Sequence, residues 1–285
     1  MKLINPLSAV DKYVYHYTKL DTALNYILKN GTLMFNSFAK VNDPRENKTW
    51  TMATMIRSSI NLELKDWDAL SERVSNILKQ NAKIVCFSKD REAAVSQWQP
   101  WALLDRGFAR PSMWHHYADA HNGVCLMFDV EKLNTAFKKQ VDQAKLFTGP
   151  VVYSDDGILL QPGNDPFFLN LTGVYSEQQF MNEISGHLRQ WMHNLFFRKL
   201  KDWRSEEEFR WVYFNENSAP LFLTFDDALE GVIIGEKVHK EHEEAFLRYC
   251  ALYEAEITDL EWRNGYPAIV HPGQPYITHK HLLNT

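Results

Sequence analysis

The sequence predicts an α+β fold, and three observations carry that reading. Short runs rich in aromatic or β-branched residues, such as Tyr13–Tyr17, Ile84–Phe87 and Val124–Phe128, have strand character. Longer segments place apolar residues three and four apart, the period of a helix buried on one face. The two kinds follow one another without regular strand–helix–strand alternation, which disfavours a doubly wound parallel sheet. A chain of 285 residues, 45% of them hydrophobic, buries a sizeable core without disulfide staples. No interior stretch has linker composition. Residues 1–285 are therefore read as one domain, with helical insertions near 48–80 and 176–202.

The elements follow in order. After the strand at Tyr13–Tyr17, Thr18 and Asp21 have capping-box spacing, and Leu20, Ala23, Leu24, Ile27 and Leu28 share one helical face. Gly31 stands where a helix stops, and Leu33 and Phe35 alternate like a strand. Residues 50–80 read as helical, with Trp67, Leu70, Val74, Ile77 and Leu78 as the stripe. The stretch from Lys89 to Pro111 reads as a loop. Ser112 is placed to cap a short helix ended by Gly123, and Asp129 to cap a helix through Val141. Val151–Tyr153 is a strand, and 155–172 is rich in turn residues. Ser176 and Gln179 form a capping box for a long helix. Phe209–Phe214 and Val232–Ile234 are strands, with a helix around 242–252.

Composition narrows the functional classes. Nine Trp, 12 Tyr and 17 Phe with a net charge of −5 describe a globular chain. No apolar run approaches the roughly 18 residues of a spanning helix, and the first residues lack a secretory pattern. The three cysteines, Cys86, Cys125 and Cys250, are widely spaced and form no CxxC pair. They read as reduced thiols of a cytoplasmic protein with no membrane partner. A mildly acidic balance gives no support to nucleic acid as a partner, although a local basic patch stays open.

No phosphate-loop, dinucleotide-fold, zinc-protease or nucleophile-elbow signature is present. Four dense segments remain: Tyr15-His16-Tyr17-Thr18, Asn42-Asp43-Pro44-Arg45-Glu46, Trp114-His115-His116-Tyr117 through Gly123, and Trp203 through Arg210. With CFS at Cys86–Ser88, they resemble in this order a bacterial family, domain-of-unknown-function family 2971, over residues 13 to about 235. The stretch Gln97–Pro111 is longer than that family usually carries. More distantly, strand-His-x-Thr, helix, Gly-x-Leu, strand resembles the opening of ADP-ribosyltransferase-like folds. That resemblance implies a mixed, largely antiparallel split sheet, NAD as substrate, and transfer of ADP-ribose to a macromolecular acceptor or to water. It implies no other cofactor.

The same resemblance implies His16 at the ribose on the nicotinamide side and Glu208 at the ribose hydroxyls, with Glu206 beside it. Residues two apart on a strand share a face, so both carboxylates are expected to line one cleft. A fixed carboxylate there stabilises the positive charge that builds on the sugar. Tyr17, Thr18, Tyr117 and Arg210 are the candidate ligand contacts; Tyr17, Phe87, Tyr117 and Tyr153 compete for the stacking aromatic. Plainer readings stand beside these. His16 reads equally as a core histidine, Asn42-Asp43-Pro44 as an Asx turn, and Glu46 as the partner of an arginine that fixes that turn. Trp114, Tyr117 and His121 read as packing residues, Trp203 as a core anchor, and Glu207 as solvated. Arg210 is read as neutralising Glu206 or Glu208, or as a bidentate phosphate ligand. The three histidines lack the spacing of a metal site.

Two other functions compete. One is a nuclease or phosphodiesterase with Mg²⁺ held by Asp43, Glu46, Glu206 and Glu208. The other is a partner-binding or sensing module, which predicts an exposed aromatic patch and no polar cleft.

Overall fold

A computed structural model describes residues 12–41, 43–55, 67–91, 100–155, 165–217 and 219–270. Its strands are β1 (Tyr13–Thr18), β2 (Thr32–Ser37), β3 (Ala53–Met55), β4 (Ala82–Lys89), β5 (Val124–Asp129), β6 (Leu146–Pro150) and β7 (Val152–Tyr153). There follow β8 (Phe168–Asn170), β9 (Arg198–Lys199), β10 (Glu208–Phe214), β11 (Leu221–Thr224), β12 (Leu229–Gly235), β13 (Glu256–Arg263) and β14 (Tyr266–Val270). The class is α+β. One large sheet runs β11-β2-β4-β1-β5-β12-β13-β14, with β10 on β4 and β6 on β10. All its pairings are antiparallel except β12 with β13.

β4 is the hinge of this topology. β10 covers the whole of one edge, from Glu208 opposite Ser88 to Phe214 opposite Ala82. The other edge is shared. β1 takes its end, with Tyr15 opposite Ser88, and β2 takes its beginning, with Asn36 opposite Ile84. Val85, Cys86 and Phe87 have no strand neighbour on that edge, because β1 and β2 diverge there. The sheet is split at this point.

Strand alternation sorts the side chains into two faces. Val14, Val85, Phe87, Leu126, Phe128 and Trp211 build one apolar cluster, into which Ala23, Ile27 and Leu28 pack from the helical run 20–30. Ile84 and Val212 face the other way, into a cluster with Phe38, Trp50 and residues of the helices Trp67–Asn81 and Glu177–Phe196. Tyr13, Tyr15 and Tyr17 pack with Phe108 and Trp114 in a third.

Several expected elements stand. Asp129 accepts from the backbone N–H groups of Glu131 and Lys132 and caps Val130–Gln140. Ser176 accepts from Gln179 N–H and caps the long helix. Gly31 adopts φ 65°, the left-handed conformation that stops a helix at glycine.

Others are corrected. The Thr18–Asp21 capping box is absent, because Thr18 is still in the ladder opposite Val124 and the cap position falls to Lys19, which offers no side-chain bond. Residues 50–55 are not helical: Trp50 and Met52 are drawn into the second cluster, and β3 pairs with β8. The intervening 56–66 lie outside the described residues. Arg110, not Ser112, stands at the cap of Pro111–Tyr117, with Pro111 in the first turn, where its missing N–H costs nothing. Within the expected loop, Pro100–Asp105 is a 3-10 helix, and 92–99 lie outside the described residues. The strands β6, β11, β13 and β14 carry no strong sequence signal of their own.

Candidate functional site

A cavity of about 250 Å³ opens where β1 and β2 part, bounded by residues of β1, β2, β4 and β10 and by Glu46, Tyr117, Lys199 and Glu206. His16 reaches it from one face of the sheet. Its ring packs against Phe87, with centroids 5.4 Å apart. Its Nδ1 lies 3.0 Å from the Cys86 carbonyl, a group left without a β1 or β2 neighbour by the split. A carbonyl only accepts, so Nδ1 carries the proton and Nε2 keeps its lone pair. Burial lowers the imidazole pKa, partly offset by this bond, and the ring is neutral at pH 7.

The charged residues reach the cavity from the opposite face. Across β10 and β4, Glu208 stands opposite Ser88 and Arg210 opposite Cys86. The Arg210 guanidinium, fully buried, donates from Nε to Glu208 Oε1 at 2.5 Å and from Nη2 to Glu208 Oε2 at 3.0 Å. Its Nη1 donates to Glu46 Oε1 at 2.6 Å and to the Phe196 carbonyl at 2.7 Å. Lys199, on β9, bridges the two candidate carboxylates, with Nζ 2.7 Å from Glu206 Oε2 and 2.7 Å from Glu208 Oε2. The Tyr117 hydroxyl donates to Glu206 Oε1 at 2.8 Å. Tyr153 accepts from the Glu208 N–H at 2.8 Å.

The E-x-E pair meets in one cavity, but not for the expected reason. Glu206 ends a 3-10 helix, Lys201–Glu206, and only Glu208 is in the strand. Between them Glu207 takes φ 42°, ψ 54°, which turns the chain sharply into β10. Glu207 is solvated as expected, its side chain 39% exposed, with its carboxylate 3.7 Å from Arg91 Nε. Ser88 Oγ donates to the Glu206 carbonyl at 2.7 Å and ties the turn to β4.

Environment drives the two carboxylates apart. Burial pushes the Glu206 pKa above the usual carboxylate range, and the Lys199 charge only partly opposes it. Burial acts on Glu208 in the same sense, but Arg210 and Lys199 outweigh it and hold Glu208 well below that range. Lys199 is desolvated too, yet Glu208 and Glu46 keep it firmly protonated. Glu46 is raised, burial outweighing the attraction of Arg210.

Of the residues singled out from sequence, His16, Tyr17, Tyr117, Glu206, Glu208 and Arg210 line this cavity. Arg210 is spent on Glu208 and Glu46, so the phosphate-ligand alternative does not fit. Tyr17 packs its ring edge-on to Trp114, and its hydroxyl donates to the Gly107 carbonyl at 2.6 Å. Thr18 sits in the β1–β5 ladder and is not in the cavity wall. Trp203 is half-buried, not a core anchor. Its ring lies under Lys199 and lines an adjoining cavity of about 390 Å³ that shares Met113 and Glu206 with the first.

The helix that carries Tyr117 ends abruptly. Asp119, Ala120 and His121 all have positive φ, at 50°, 51° and 76°, which costs roughly 1 kcal/mol or more per residue. The Gly123 N–H to Ala118 carbonyl bond, at 2.8 Å, and a stack of His121 on Trp114 hold the turn. The arginine partner expected for Glu46 is Arg210, whereas sequence reasoning missed Lys199. An Arg–Lys pair just before the Trp203 block was the available signal for it.

Fold and site thus define an α+β protein with a split sheet and a charged cavity at the split. Residues 113–211 match the model of a family described as protein of unknown function (DUF2971), which supports the family resemblance read from the motifs. The matched stretch includes Tyr117, Lys199, Glu206, Glu208 and Arg210; His16 and Glu46 lie outside it. No curated protein matches the chain, and no solved structure does. Among the described residues no helix is long and apolar enough to cross a membrane.

Proposed function

We propose that the cavity is the active site of an NAD-consuming glycosyl-transfer enzyme, which moves ADP-ribose to a macromolecular acceptor or to water. One observation carries the reading: two carboxylates bridged by a single ammonium, with pKa values displaced in opposite directions. Such a pair divides the labour, one group staying charged and the other exchanging a proton. Glu208, ionised at any working pH, stabilises the positive charge that grows on the sugar as the bond from its anomeric carbon to nicotinamide breaks. The bonding electrons leave on nicotinamide, which needs no proton. Glu206 takes the proton of the incoming water or acceptor nucleophile. His16 Nε2 accepts from a ribose hydroxyl, and Tyr117 and Lys199 orient Glu206.

The competing enzyme reading fits less well. The carboxylate oxygens of Glu206 and Glu208 that would ligate Mg²⁺ already take Lys199, Arg210 and Tyr117, and Asp43 lines the adjoining cavity. A non-enzymatic module has no use for the polar cleft. The test is nicotinamide release from NAD, followed by chromatography with wild type and Glu206→Gln. Release that is lost in the variant supports the reading; a wild type that neither binds nor cleaves NAD ends it.

A further inference from the structure

We infer that Glu46 is a specificity-determining residue of this cavity, and that its Oε2 binds the carboxamide N–H of a nicotinamide ring. The inference rests on the proposed NAD reading and names how that substrate is told from its near relatives. Glu46, Glu206 and Glu208 present six carboxylate oxygens, and five of them receive a hydrogen bond. The sixth, Glu46 Oε2, is buried and has no partner among the described residues. A buried acceptor left empty costs about 1–3 kcal/mol, so the position is explained when a ligand fills it.

Chemistry narrows the ligand. Glu46, Glu206 and Glu208 share the cavity wall with Lys199, Arg210 and Lys40, so the formal charges balance. A pyridinium ring bearing a neutral amide brings an N–H donor to the empty oxygen. The same ring bearing a carboxylate brings a like charge and no donor. Size agrees, since about 250 Å³ suits a ring and its ribose, below the usual range for a whole drug-sized ligand.

Local structure holds Glu46 for this task. Pro44–Asn47 is a single helical turn in which the Asp43 carbonyl accepts from the Glu46 and Asn47 N–H groups, both at 2.9 Å. Arg210 then fixes the carboxylate through Oε1 alone.

The experiment compares kcat/KM for NAD and for nicotinic acid adenine dinucleotide, which differs only in carrying the acid in place of the amide. Wild type is expected to prefer NAD by about a hundredfold, because a site built to pair with an N–H rejects an analogue that lacks it. Glu46→Gln, whose amide can donate to a carboxylate, is expected to bring the two substrates within about threefold of one another. Equal rates in wild type overturn this inference and leave the proposed reaction standing. Cleavage of neither substrate overturns both. Because Glu46→Gln removes a countercharge from Arg210, Glu46→Asp serves as a second variant, with folding checked by circular dichroism. It keeps the charge but withdraws the oxygen, and is expected to raise KM for NAD about tenfold with kcat little changed. An unchanged KM in Glu46→Asp, or a preference retained in full by Glu46→Gln, overturns the inference.

Discussion

Two buried polar networks touch the same strands, and they do different work. One is the group at the split: Glu46, Arg210, Glu208, Lys199 and Glu206. The other lies under the β1 tyrosines. Asp90 there receives the Gly107 N–H at 2.7 Å and faces Arg106 at 3.3 Å, while Arg106 donates to the Tyr15 hydroxyl at 3.1 Å. Arg110 donates to the Ser205 carbonyl at 3.0 Å and to the Lys89 carbonyl. Gly107 is required in that second network, since a Cβ there would lie 2.3 Å from the Tyr15 ring. It spends its polar groups largely on backbone and staples 105–110 to β1 and β4. The network at the split spends its groups mainly on other side chains and borders a cavity. Each network holds a buried atom with no partner among the described residues, Arg110 Nε in the staple and Glu46 Oε2 at the split, but of these two residues Glu46 alone lines that cavity.

The contrast is broken most severely by chemistry. Glu206→Gln is expected to lower nicotinamide release by about 10²–10⁴-fold while the protein stays folded. Asp90→Asn is expected to keep that activity and lose stability instead, read as a lower urea midpoint. Equal loss of activity in both variants would merge the two networks into one.

Next in size is the removal of a buried charge. Arg210→Met takes the arginine from Glu46 and leaves Glu208 with Lys199 alone, and is expected to cost about 3–5 kcal/mol in urea denaturation. A cost under about 1 kcal/mol would mean that water reaches the cavity floor and screens the charges.

Titration sharpens the comparison further. Glu208 is held below its unfolded pKa, so its contribution to stability is present above that unfolded value and is lost as pH falls through the folded one. Asp90 is raised by burial against the pull of Arg106. The folded state then binds the proton more tightly, and its contribution weakens as pH rises from the unfolded to the folded value. Urea midpoints across pH 4–8 are expected to lose this downward component in Asp90→Asn. The rate of nicotinamide release is expected to rise with pH as Glu206 ionises, with a midpoint above the ordinary carboxylate range. A midpoint below that range would take the proton-accepting role away from Glu206.

The smallest effect concerns the thiols. Burial pushes Cys86 and Cys125 well above the ordinary thiol range and Cys250 up to about 12. At pH 8 the folded protein is expected to alkylate slowly, and the urea-unfolded protein to react at all three. Rapid labelling of Cys86 alone would show the cavity to be more open than its walls describe.

The legible parts of this molecule are those governed by local rules. Asp129, Ser176 and Gly31 act as a cap, a cap and a stop because the reasons are contained within four residues of chain. His16 and the E-x-E pair were recognisable as chemistry-bearing types at a telling distance from aromatic strands. Lys199 was not, because nothing near it in sequence says that its ammonium will stand 2.7 Å from two carboxylates. That Thr18 falls outside the cavity wall was not legible for a related reason: alternation says that neighbours on a strand face apart, but not which face opens on a cavity.

What the sequence determined by itself is therefore the α+β class, the caps at Asp129 and Ser176, and the residue types that carry charge into the interior. Tertiary structure alone decided that β1 and β2 part on the edge of β4. That parting leaves the Cys86 carbonyl to His16 and lets groups from opposite faces of the sheet meet. It depends on pairings between residues distant in the chain, Tyr15 with Ser88 and Asn36 with Ile84, 73 and 48 positions apart, whose competition for one strand edge no local pattern encodes.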